Sequence, residues 1–262
     1  MSTAIIIPAR FNSQRFPGKP LAVIKGISLI QRVWQIANLV QGVDAVYIAT
    51  DDDRIANHVR HFNAQVIMTE TCRNGTERVF KAVQQCQRSF DIVLNLQGDA
   101  VRTSPTALQR LIDALKKDPQ IQMATLAVRI TQQAYAQLSA QKHAGVVGGT
   151  MVVLNPFTQN ALYFSKSMIP FLRDAAATQP LPLYRHIGLY AYRYSALRTY
   201  VDLQPTPLEQ LEGLEQLRAL EHGLPMRVFI LEQTHADQFA SVDSPIDIQA
   251  VEKIIEQHGE LI

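Results

Sequence analysis

Residues 5–21 decide the fold, and they read Ile5-Ile6-Ile7-Pro8-Ala9-Arg10-Phe11-Asn12-Ser13-Gln14-Arg15-Phe16-Pro17-Gly18-Lys19-Pro20-Leu21. The apolar triplet at the start predicts a short buried strand. The prolines and the glycine near the end predict a turn and disfavour a helix, so Arg10, Arg15 and Lys19 are expected on a shaped loop behind that strand. Scattered cations often form only a solvated basic loop. Three of them on one shaped loop predict a polyanionic ligand.

The place of this loop in the chain favours binding over solvation. In open α/β sheets, ligands lie beyond the carboxyl ends of the strands, which is where this loop begins. The loop contains neither G-x-x-x-x-G-K-S/T nor G-x-G-x-x-G, so it is not an ordinary P-loop or a dinucleotide fingerprint. Side chains, rather than a ring of backbone amides, are expected to hold the phosphates.

Composition narrows the class of protein. The chain has 262 residues and a formal net charge of +2, which is far from the basic excess typical of nucleic-acid binders. Cys72 and Cys86 form no C-x-x-C pair and are expected to be free thiols in a reducing compartment. No apolar run approaches the roughly 18 residues of a membrane span. We expect one cytoplasmic domain with no membrane insertion.

The pattern of elements predicts an α/β fold. Strands are expected at 5–7, 46–50, 65–69 and 91–97. Helices are expected to alternate with them at 29–40, 79–86 and 105–117, and a further helix is expected to begin at residue 51. Later apolar runs at 123–130, 146–154 and 161–165 suggest antiparallel strands, followed by strands at 187–192 and 226–231. Helices are expected from Thr206-Pro207 to about Gly223 and from Ser244-Pro245. The prediction is a mixed, mostly parallel sheet flanked by helices, with a small antiparallel extension.

Acidic residues at element ends are candidates for a metal site. Asp99 follows a buried strand and Gly98, a residue that would let a ligand approach the backbone closely, and its carboxylate is placed to hold Mg²⁺ on a triphosphate. Asp243 is a second candidate. The alternatives are a turn-forming Asp at 99 and an Asp beside a helix cap at 243. The triplet Asp51-Asp52-Asp53 is interpreted as helix capping, because acids are common in first helical turns.

Several motifs carry a resemblance to a known family. The loop motif at residues 6–21 resembles the signature of the 3-deoxy-manno-octulosonate (Kdo) cytidylyltransferases, also called CMP-Kdo synthetases. Further similar motifs follow in family order over nearly the whole chain: Ala49-Thr50-Asp51-Asp52, Gly75-Thr76-Glu77-Arg78, Leu96-Gln97-Gly98-Asp99, Met123-Ala124-Thr125-Leu126, Ala161-Leu162-Tyr163-Phe164-Ser165, Arg185-His186-Ile187-Gly188-Leu189-Tyr190, Leu208-Glu209 and Leu214-Glu215-Gln216-Leu217-Arg218.

The resemblance implies a Rossmann-like nucleotide-diphospho-sugar transferase fold, a homodimer, Mg²⁺, and transfer from CTP to an acidic sugar with release of pyrophosphate, for lipopolysaccharide or capsule biosynthesis. It implies a nucleotide-binding half at about 1–120 and a sugar-acid-binding and dimerisation half at about 121–262. By matching positions, it places catalysis on Lys19, Arg10 and Asp99, with Asp99 and Asp243 as metal ligands. Nucleotide binding falls on Pro8, Ala9, Arg10, Arg15, Lys19, Gly75, Arg78 and Gln97. Sugar-acid binding falls on Gln97, Lys166, His186, Tyr190, Glu209, Glu212 and Gln216.

The chain departs from the family pattern around the metal and the sugar acid. Ala100 stands where the family has Glu, Met151 where it has Lys, Lys166 where it has Arg, and Ser241 where it has Gly. Lys cannot reproduce the bidentate grip of a guanidinium on a carboxylate. We therefore expect a retuned acceptor site with the triphosphate loop intact.

Two other functions stay open at this level. A nucleotide-binding paralogue with weak catalysis is favoured by Ala100 and Met151 and opposed by the intact Lys19, Asp99 and Asp243. A glycosyltransferase that consumes a nucleotide sugar would use an Asp-x-Asp metal motif, which Asp51-x-Asp53 matches in letters but at a helix start. Fold analogy alone is a weak argument for either function.

Overall fold

The computed structural model describes residues 1–13, 16–145, 148–173, 181–232, 242 and 244–262. The described residues form a nine-stranded mixed sheet and a separate two-stranded ribbon. The strands of the sheet are β1 Thr3–Pro8, β4 Ala45–Thr50, β5 Gln65–Met68, β6 Ile92–Asn95, β7 Met123–Arg129, β8 Met151–Leu154, β9 Ala161–Ser165, β10 Tyr184–Arg193 and β11 Met226–Leu231. The ribbon pairs β2 Val23–Ile24 with β3 Ile27–Ser28.

The sheet has its parallel part where the sequence predicts it. The strand order is β11-β7-β10-β6-β1-β4-β5, and β1 pairs in parallel with both β4 and β6. β10 runs antiparallel to its neighbours β6 and β7, while β8 and β9 form an antiparallel extension beside β10. The predicted mixed sheet with a small antiparallel extension is confirmed. The carboxyl ends of β1 and β6 lie side by side.

Helices cover both faces of the sheet, which explains the uninterrupted apolar run in β1. Ile5 and Ile7 join one buried cluster and Ala4 and Ile6 join another, so alternate residues of β1 face two separate cores. The helices are α1 Leu29–Asn38, α2 Asp53–Arg60, α3 Gly75–Gln84, α4 Pro105–Lys117, α5 Gln132–His143, α6 Tyr194–Asp202, α7 Pro207–Glu212, α8 Gln216–Glu221 and α9 Pro245–His258.

Local caps begin several helices as predicted. The Ser28 hydroxyl accepts from the Gln31 amide at the start of α1, and a capping box joins Thr206 and Glu209 at the start of α7. Asp52 caps α2, as expected for one member of the acidic triplet. The C-terminal helix α9 is fastened beside the β2–β3 ribbon by the ion pair between Lys25 and Glu256.

Two helices were not predicted, and one predicted helix is broken. α5 buries only Tyr135, so it has no apolar stripe that the sequence could reveal. α6 begins immediately after β10 with no turn residue between them. The expected helix from Thr206 to Gly223 is wrong as a single element, because Gly213 adopts the left-handed conformation (φ 61°) and separates α7 from α8. Glu209 and Glu212, both in α7, therefore lie on a different helix from Gln216, which begins α8.

Candidate active site

The loop after β1 is closed on itself by Phe11. The Phe11 carbonyl accepts from the amides of Ser13 (2.9 Å) and Gly18 (2.8 Å). Gly18 is in the left-handed region (φ 73°), and a Cβ placed there would lie 3.2 Å from the Phe11 ring. The Arg54 guanidinium also lies over the Phe11 ring, 3.3 Å from the ring centroid. The turn leads directly into a 3-10 turn at Lys19–Leu21, which places Lys19 at the edge of the sheet.

Lys19 joins two distant parts of the chain to the loop. Its Nζ donates to Asp99 Oδ2 at 2.6 Å and to the carbonyl of Val242 at 2.9 Å. The Val242 amide in turn donates to the Asp99 carbonyl at 3.2 Å. The Lys19 and Asp99 side chains are 15% and 28% exposed, so the pair is shielded but reachable. The predicted cation and the predicted carboxylate therefore meet, beside a residue adjacent to Asp243.

The remaining cations of the loop differ in status. Arg10 is exposed and, among the described residues, its side chain makes no hydrogen bond or ion pair. Its charge is therefore available to an anionic ligand. Arg15 and Asp243, both predicted site residues, lie outside the described residues, as does the departure at Ser241. Ala9 is buried, and its amide donates to the Ala49 carbonyl at 2.9 Å.

Gly98 has a different role from the one expected. A Cβ at residue 98 would lie 2.8 Å from the carbonyl oxygen of Pro8, a distance that real Cβ atoms do not adopt. The space made by the missing side chain is thus filled by the backbone of β1 and not left for a ligand. Gly98 instead allows β1 and the segment after β6 to approach closely, which brings Lys19 and Asp99 within reach of each other.

A chain of buried and partly buried hydrogen bonds runs from Gln97 to Glu215. Gln97 Nε2 donates to Asn95 Oδ1 (3.1 Å), Asn95 Nδ2 donates to Thr76 Oγ1 (3.2 Å), and the Thr76 hydroxyl donates to Glu215 Oε1 (3.0 Å). Burial raises the pKa of Glu215, and the Thr76 hydroxyl and the Arg218 charge oppose that rise. Sequence reasoning missed Asn95, Thr76 and Glu215 as site residues, although Thr76 and Glu215 lie inside the quoted motifs.

Gly75, Pro8 and Gln97, all predicted for the nucleotide, come together at this edge. A Cβ on Gly75 would lie 3.4 Å from Gln97 Oε1 and 3.5 Å from Pro8 Cγ. Arg78, predicted for the same site, is buried, with Nη2 on Asp51 Oδ2 and Nη1 on Thr69 Oγ1, both at 2.8 Å. Its guanidinium is therefore already committed to side chains of the protein.

His186, Tyr190 and Gln216, which are predicted for the sugar acid, lie close together. His186 Nε2 lies 2.9 Å from Thr125 Oγ1, and the Tyr190 hydroxyl donates to Gln216 Oε1 at 3.1 Å. The single Thr125 hydroxyl proton is directed to the Leu189 carbonyl at 2.7 Å, so His186 Nε2 is the donor and Nδ1 an acceptor. Burial lowers the pKa of His186 to about 3, which keeps the ring neutral at physiological pH.

Glu212 and Lys166 meet on a different edge, at the end of β9. Glu212 accepts from the Ser165 hydroxyl (2.6 Å) and from the Lys166 amide (2.9 Å). A Cβ on Gly213 would lie 3.0 Å from Lys166 Nζ, so that ammonium sits against the turn between α7 and α8. Lys142 of α5 donates to the Lys166 carbonyl from the other side. Burial lowers the pKa of Lys142, the Lys166 charge adds to this, and Glu212 opposes it.

Glu209 is held away from this group by an ion pair. Its carboxylate accepts from Arg218 Nε at 2.8 Å and Nη2 at 2.5 Å, and from the Thr206 amide at 3.3 Å. Both of its oxygens are therefore occupied by the protein.

The departures from the family pattern differ in their surroundings. Met151 is fully buried in an apolar cluster with Tyr135 and Leu183. Ala100 is also buried, and its amide donates to the Gln97 carbonyl at 3.0 Å in the turn that carries Asp99. Of these three residues, only Lys166 carries a charged side chain.

The donor atoms at Asp99 fit a hard cation. A carboxylate oxygen and the Val242 carbonyl converge on one point, where Lys19 Nζ now bridges them. Mg²⁺ is typically bound by one or two carboxylates, with waters and substrate phosphates as the other ligands. Within the described ranges no three His, Cys, Asp or Glu side chains are grouped to hold a metal ion, so Asp99 would depend on such additional ligands.

Comparisons with known proteins agree with one another. A family model described as Cytidylyltransferase matches residues 4–232. The 3-deoxy-manno-octulosonate cytidylyltransferase of Maricaulis maris (strain MCS10) is 46% identical over 263 residues, covering 100% of each chain. The 8-amino-3,8-dideoxy-manno-octulosonate cytidylyltransferase of Shewanella woodyi is 43% identical over 255 residues, covering 96% of this chain and 98% of its own.

Solved structures show the same relation. A structure of CMP:2-keto-3-deoxy-manno-octonic acid synthetase complexed with CTP matches with a TM-score of 0.85 and 36% identity, covering 98% of this chain and 99% of the other. A cytidylyltransferase from Leptospira borgpetersenii matches with a TM-score of 0.64 at 14% identity, which shows a shared fold alone. The nucleotidyltransferase fold predicted from the motifs is confirmed.

Proposed function

The chain belongs to the cytidylyltransferase family, and from this premise we propose that it activates Kdo or a close relative with CTP, giving the CMP-sugar and pyrophosphate. The observation that carries the proposal is the meeting of Lys19 with Asp99 beside Val242, at the carboxyl ends of β1 and β6. It assembles a cation and a carboxylate from distant motifs at the ligand-binding edge of the sheet.

The reaction requires charge compensation more than covalent chemistry. A sugar hydroxyl attacks the α-phosphorus of CTP and pyrophosphate leaves, so the protein must align the two substrates and stabilise the phosphate oxygens. The exposed Arg10 and the shielded Lys19 are suited to contact the triphosphate. Lys19 can donate its third N–H to a phosphate oxygen while it keeps its contacts with Asp99 and Val242.

We further propose that Mg²⁺ takes part, held by Asp99 together with Asp243. When bound, the metal would neutralise phosphate charge and favour departure of pyrophosphate. Hard oxygen donors at Asp99 and the Val242 carbonyl support this assignment. The Lys19 ammonium donates to the Asp99 carboxylate and so holds it in place before a metal binds.

The sugar acid is proposed to lie on the side of Gln97, His186, Tyr190 and Gln216. Neutral His186 offers Nδ1 as an acceptor for a sugar hydroxyl, because its Nε2 proton is used by Thr125. Gln216 Nε2 is buried and, among the described residues, has no hydrogen-bond partner. A sugar oxygen would satisfy that donor.

The two other functions are less well supported by the geometry. A glycosyltransferase using Asp51-x-Asp53 would need free carboxylates there, but Asp51 is paired with Arg78. A weakly active paralogue would be expected to have lost its central ion pair, whereas the pair of Lys19 and Asp99 is intact. We retain both as outcomes of the activity assay.

Homodimerisation is proposed through the second half of the chain. Large apolar side chains are exposed at Phe157, Leu162, Phe171 and Leu211, all within the predicted dimerisation half. No described helix is both long enough and apolar enough to cross a membrane. We propose a cytoplasmic enzyme of lipopolysaccharide or capsule biosynthesis, and sedimentation of the pure protein tests the dimer.

The activity assay follows pyrophosphate release from CTP and Mg²⁺ with a panel of acceptors. The panel contains Kdo, 8-amino-3,8-dideoxy-manno-octulosonate and a structurally unrelated acidic sugar. Turnover with the first or the second supports the proposal and assigns the acceptor. If no acceptor gives pyrophosphate release at CTP concentrations where calorimetry detects CTP binding, the weakly active paralogue is favoured. If the protein instead transfers the sugar from a CMP-sugar in a separate assay, the glycosyltransferase is favoured.

A further inference from the structure

We propose that Glu215 is a positioning residue that, through Thr76 and Asn95, fixes which end of the Gln97 carboxamide faces the ligand. This inference rests on the proposed function for its kinetic test but not for its structural one. The hydrogen-bond chain Gln97, Asn95, Thr76, Glu215 joins β6, α3 and the start of α8, three elements that meet only in the folded protein.

The chain of hydrogen bonds has one direction because Glu215 Oε1 is the acceptor in its contact with Thr76. With Glu215 Oε1 as acceptor, the Thr76 hydroxyl spends its single proton on Glu215. Thr76 Oγ1 can then only accept from Asn95, so the Asn95 amide group must point its nitrogen toward Thr76. The Asn95 oxygen is left to face Gln97, and it selects the Gln97 nitrogen.

Burial makes this direction difficult to reverse. Asn95 and Thr76 are fully buried, so a flipped amide would place two acceptors or two donors against each other with no water to relieve them. Glu215 Oε2 is also buried and, within the described part of the chain, has no hydrogen-bond partner. Oε1 is therefore the oxygen through which Glu215 acts on Thr76.

The consequence appears at the ligand-binding edge. With its nitrogen donating to Asn95, Gln97 keeps Oε1 for other donors, and the carboxamide lies beside Gly75 and Pro8. No donor among the described residues reaches that oxygen, so it is available to a hydroxyl or amino group of a ligand. Such donors occur on the sugar acid and on the nucleoside. A reversed carboxamide would present N–H groups there instead, and these cannot accept from a hydroxyl or an amino group.

The test uses Thr76→Val, which removes the hydroxyl from the middle of the chain with little change of shape or charge. Thr3→Val is the matched control. Thr3 is also a fully buried threonine, but its hydroxyl has no partner among the described residues. It begins β1, whereas the candidate site lies where β1 ends. We expect about a tenfold loss of kcat/KM for Thr76→Val, the loss of one oriented hydrogen bond, and no loss for Thr3→Val. Thr76→Ser keeps the hydroxyl and should restore activity.

The loss should appear in the KM of the substrate whose donor Gln97 contacts, which separates the sugar acid from CTP. A double-mutant cycle with Gln97→Ala then distinguishes positioning from a general structural role. If Thr76 acts through Gln97, Thr76→Val adds less than about twofold in the Gln97→Ala background. An equal loss with and without the Gln97 side chain would overturn the inference.

A second readout does not need turnover. The side-chain NH₂ resonances of Gln97, assigned by their absence in Gln97→Ala, should shift in Thr76→Val and stay in place in Thr3→Val and Thr76→Ser. Unshifted resonances in Thr76→Val would overturn the inference even in an active enzyme. Shifted resonances in a protein that turns over no sugar acid would support the hydrogen-bond chain and reject the proposed function alone.

Discussion

Replacing Glu209 by Gln separates the two roles that residue 209 can have. The sequence motif assigns Glu209 to the sugar acid, whereas the structure pairs it with Arg218 through two hydrogen bonds of 2.8 and 2.5 Å. Gln can still fill the N3 position of the capping box, so the cap contributes little to any difference. The change therefore removes one negative charge opposite a fixed guanidinium.

The expected cost follows from the burial of the pair. The side chains of Arg218 and Glu209 are 5% and 12% exposed, so water cannot replace the lost carboxylate. Breaking such a buried pair on one side typically costs about 3–5 kcal/mol, because the other charge stays buried without compensation. Arg218 keeps its contact over the Tyr200 ring, with a centroid distance of 5.3 Å. We therefore expect the lower end, about 3 kcal/mol, and a fall in Tm of roughly 6–12 °C.

Urea unfolding and calorimetry measure the change, and kinetics with the sugar acid accompany them. Glu221→Gln on the neighbouring α8 is the control, because Glu221 is exposed and its loss should stay within about 0.5 kcal/mol. A Tm of Glu209→Gln within about 2 °C of the wild type would correspond to less than about 1 kcal/mol by the same scaling. That result would show that the ion pair with Arg218 contributes little to stability. An unchanged Tm with a raised KM for the sugar acid would return Glu209 to the acceptor site.

Three further changes test the centre of the site. Gly98→Ala should destabilise the protein by about 1–3 kcal/mol and reduce activity, because its Cβ would meet the Pro8 carbonyl at 2.8 Å; a stable, active variant in the same assays would contradict the close approach. Asp99→Asn should lower kcat by about 100-fold or more at saturating Mg²⁺, and a loss within about threefold would reject its role as a metal ligand. His186 stays neutral in the folded protein down to about pH 3, so stability should fall as the pH drops below the unfolded pKa of about 6.5. From pH 6.5 to 5 that contribution amounts to about 2 kcal/mol, and His186→Gln should remove it from urea titrations at each pH.

The parts of the fold that could be predicted are those with a local cause. Ile5 to Ile7 must be covered on both faces, and their burial in two clusters confirms the parallel core that the apolar run predicts. Ser28 is a cap because its hydroxyl accepts from the Gln31 amide, and at the start of α7 the Thr206 amide donates to the Glu209 carboxylate. α5 could not be predicted from an apolar stripe, because Tyr135 is its only buried residue.

The site shows the same division between local and distant causes. The meeting of Lys19 and Asp99 was predictable, because strands that pair in parallel bring their carboxyl ends to one edge. The commitment of Arg78 to Asp51 and of Glu209 to Arg218 was not, since a motif gives the residue type but not the partner that satisfies its charge. Gly213 could have been recognised, because glycine is the usual residue where a helix ends in the left-handed conformation.

The departures from the family pattern can now be separated by their surroundings. A lysine at residue 151 would bring an ammonium into an apolar cluster with Tyr135 and Leu183, so Met151 is best understood as packing. Lys166 instead places a single cation against Gly213, with Glu212 holding its backbone amide at 2.9 Å and Lys142 holding its carbonyl. An ammonium forms a compact, strongly hydrated contact with a carboxylate, whereas a guanidinium forms a planar double one. The expectation of a retuned acceptor site therefore rests on Lys166 and the two residues that hold its backbone, and it stays a prediction.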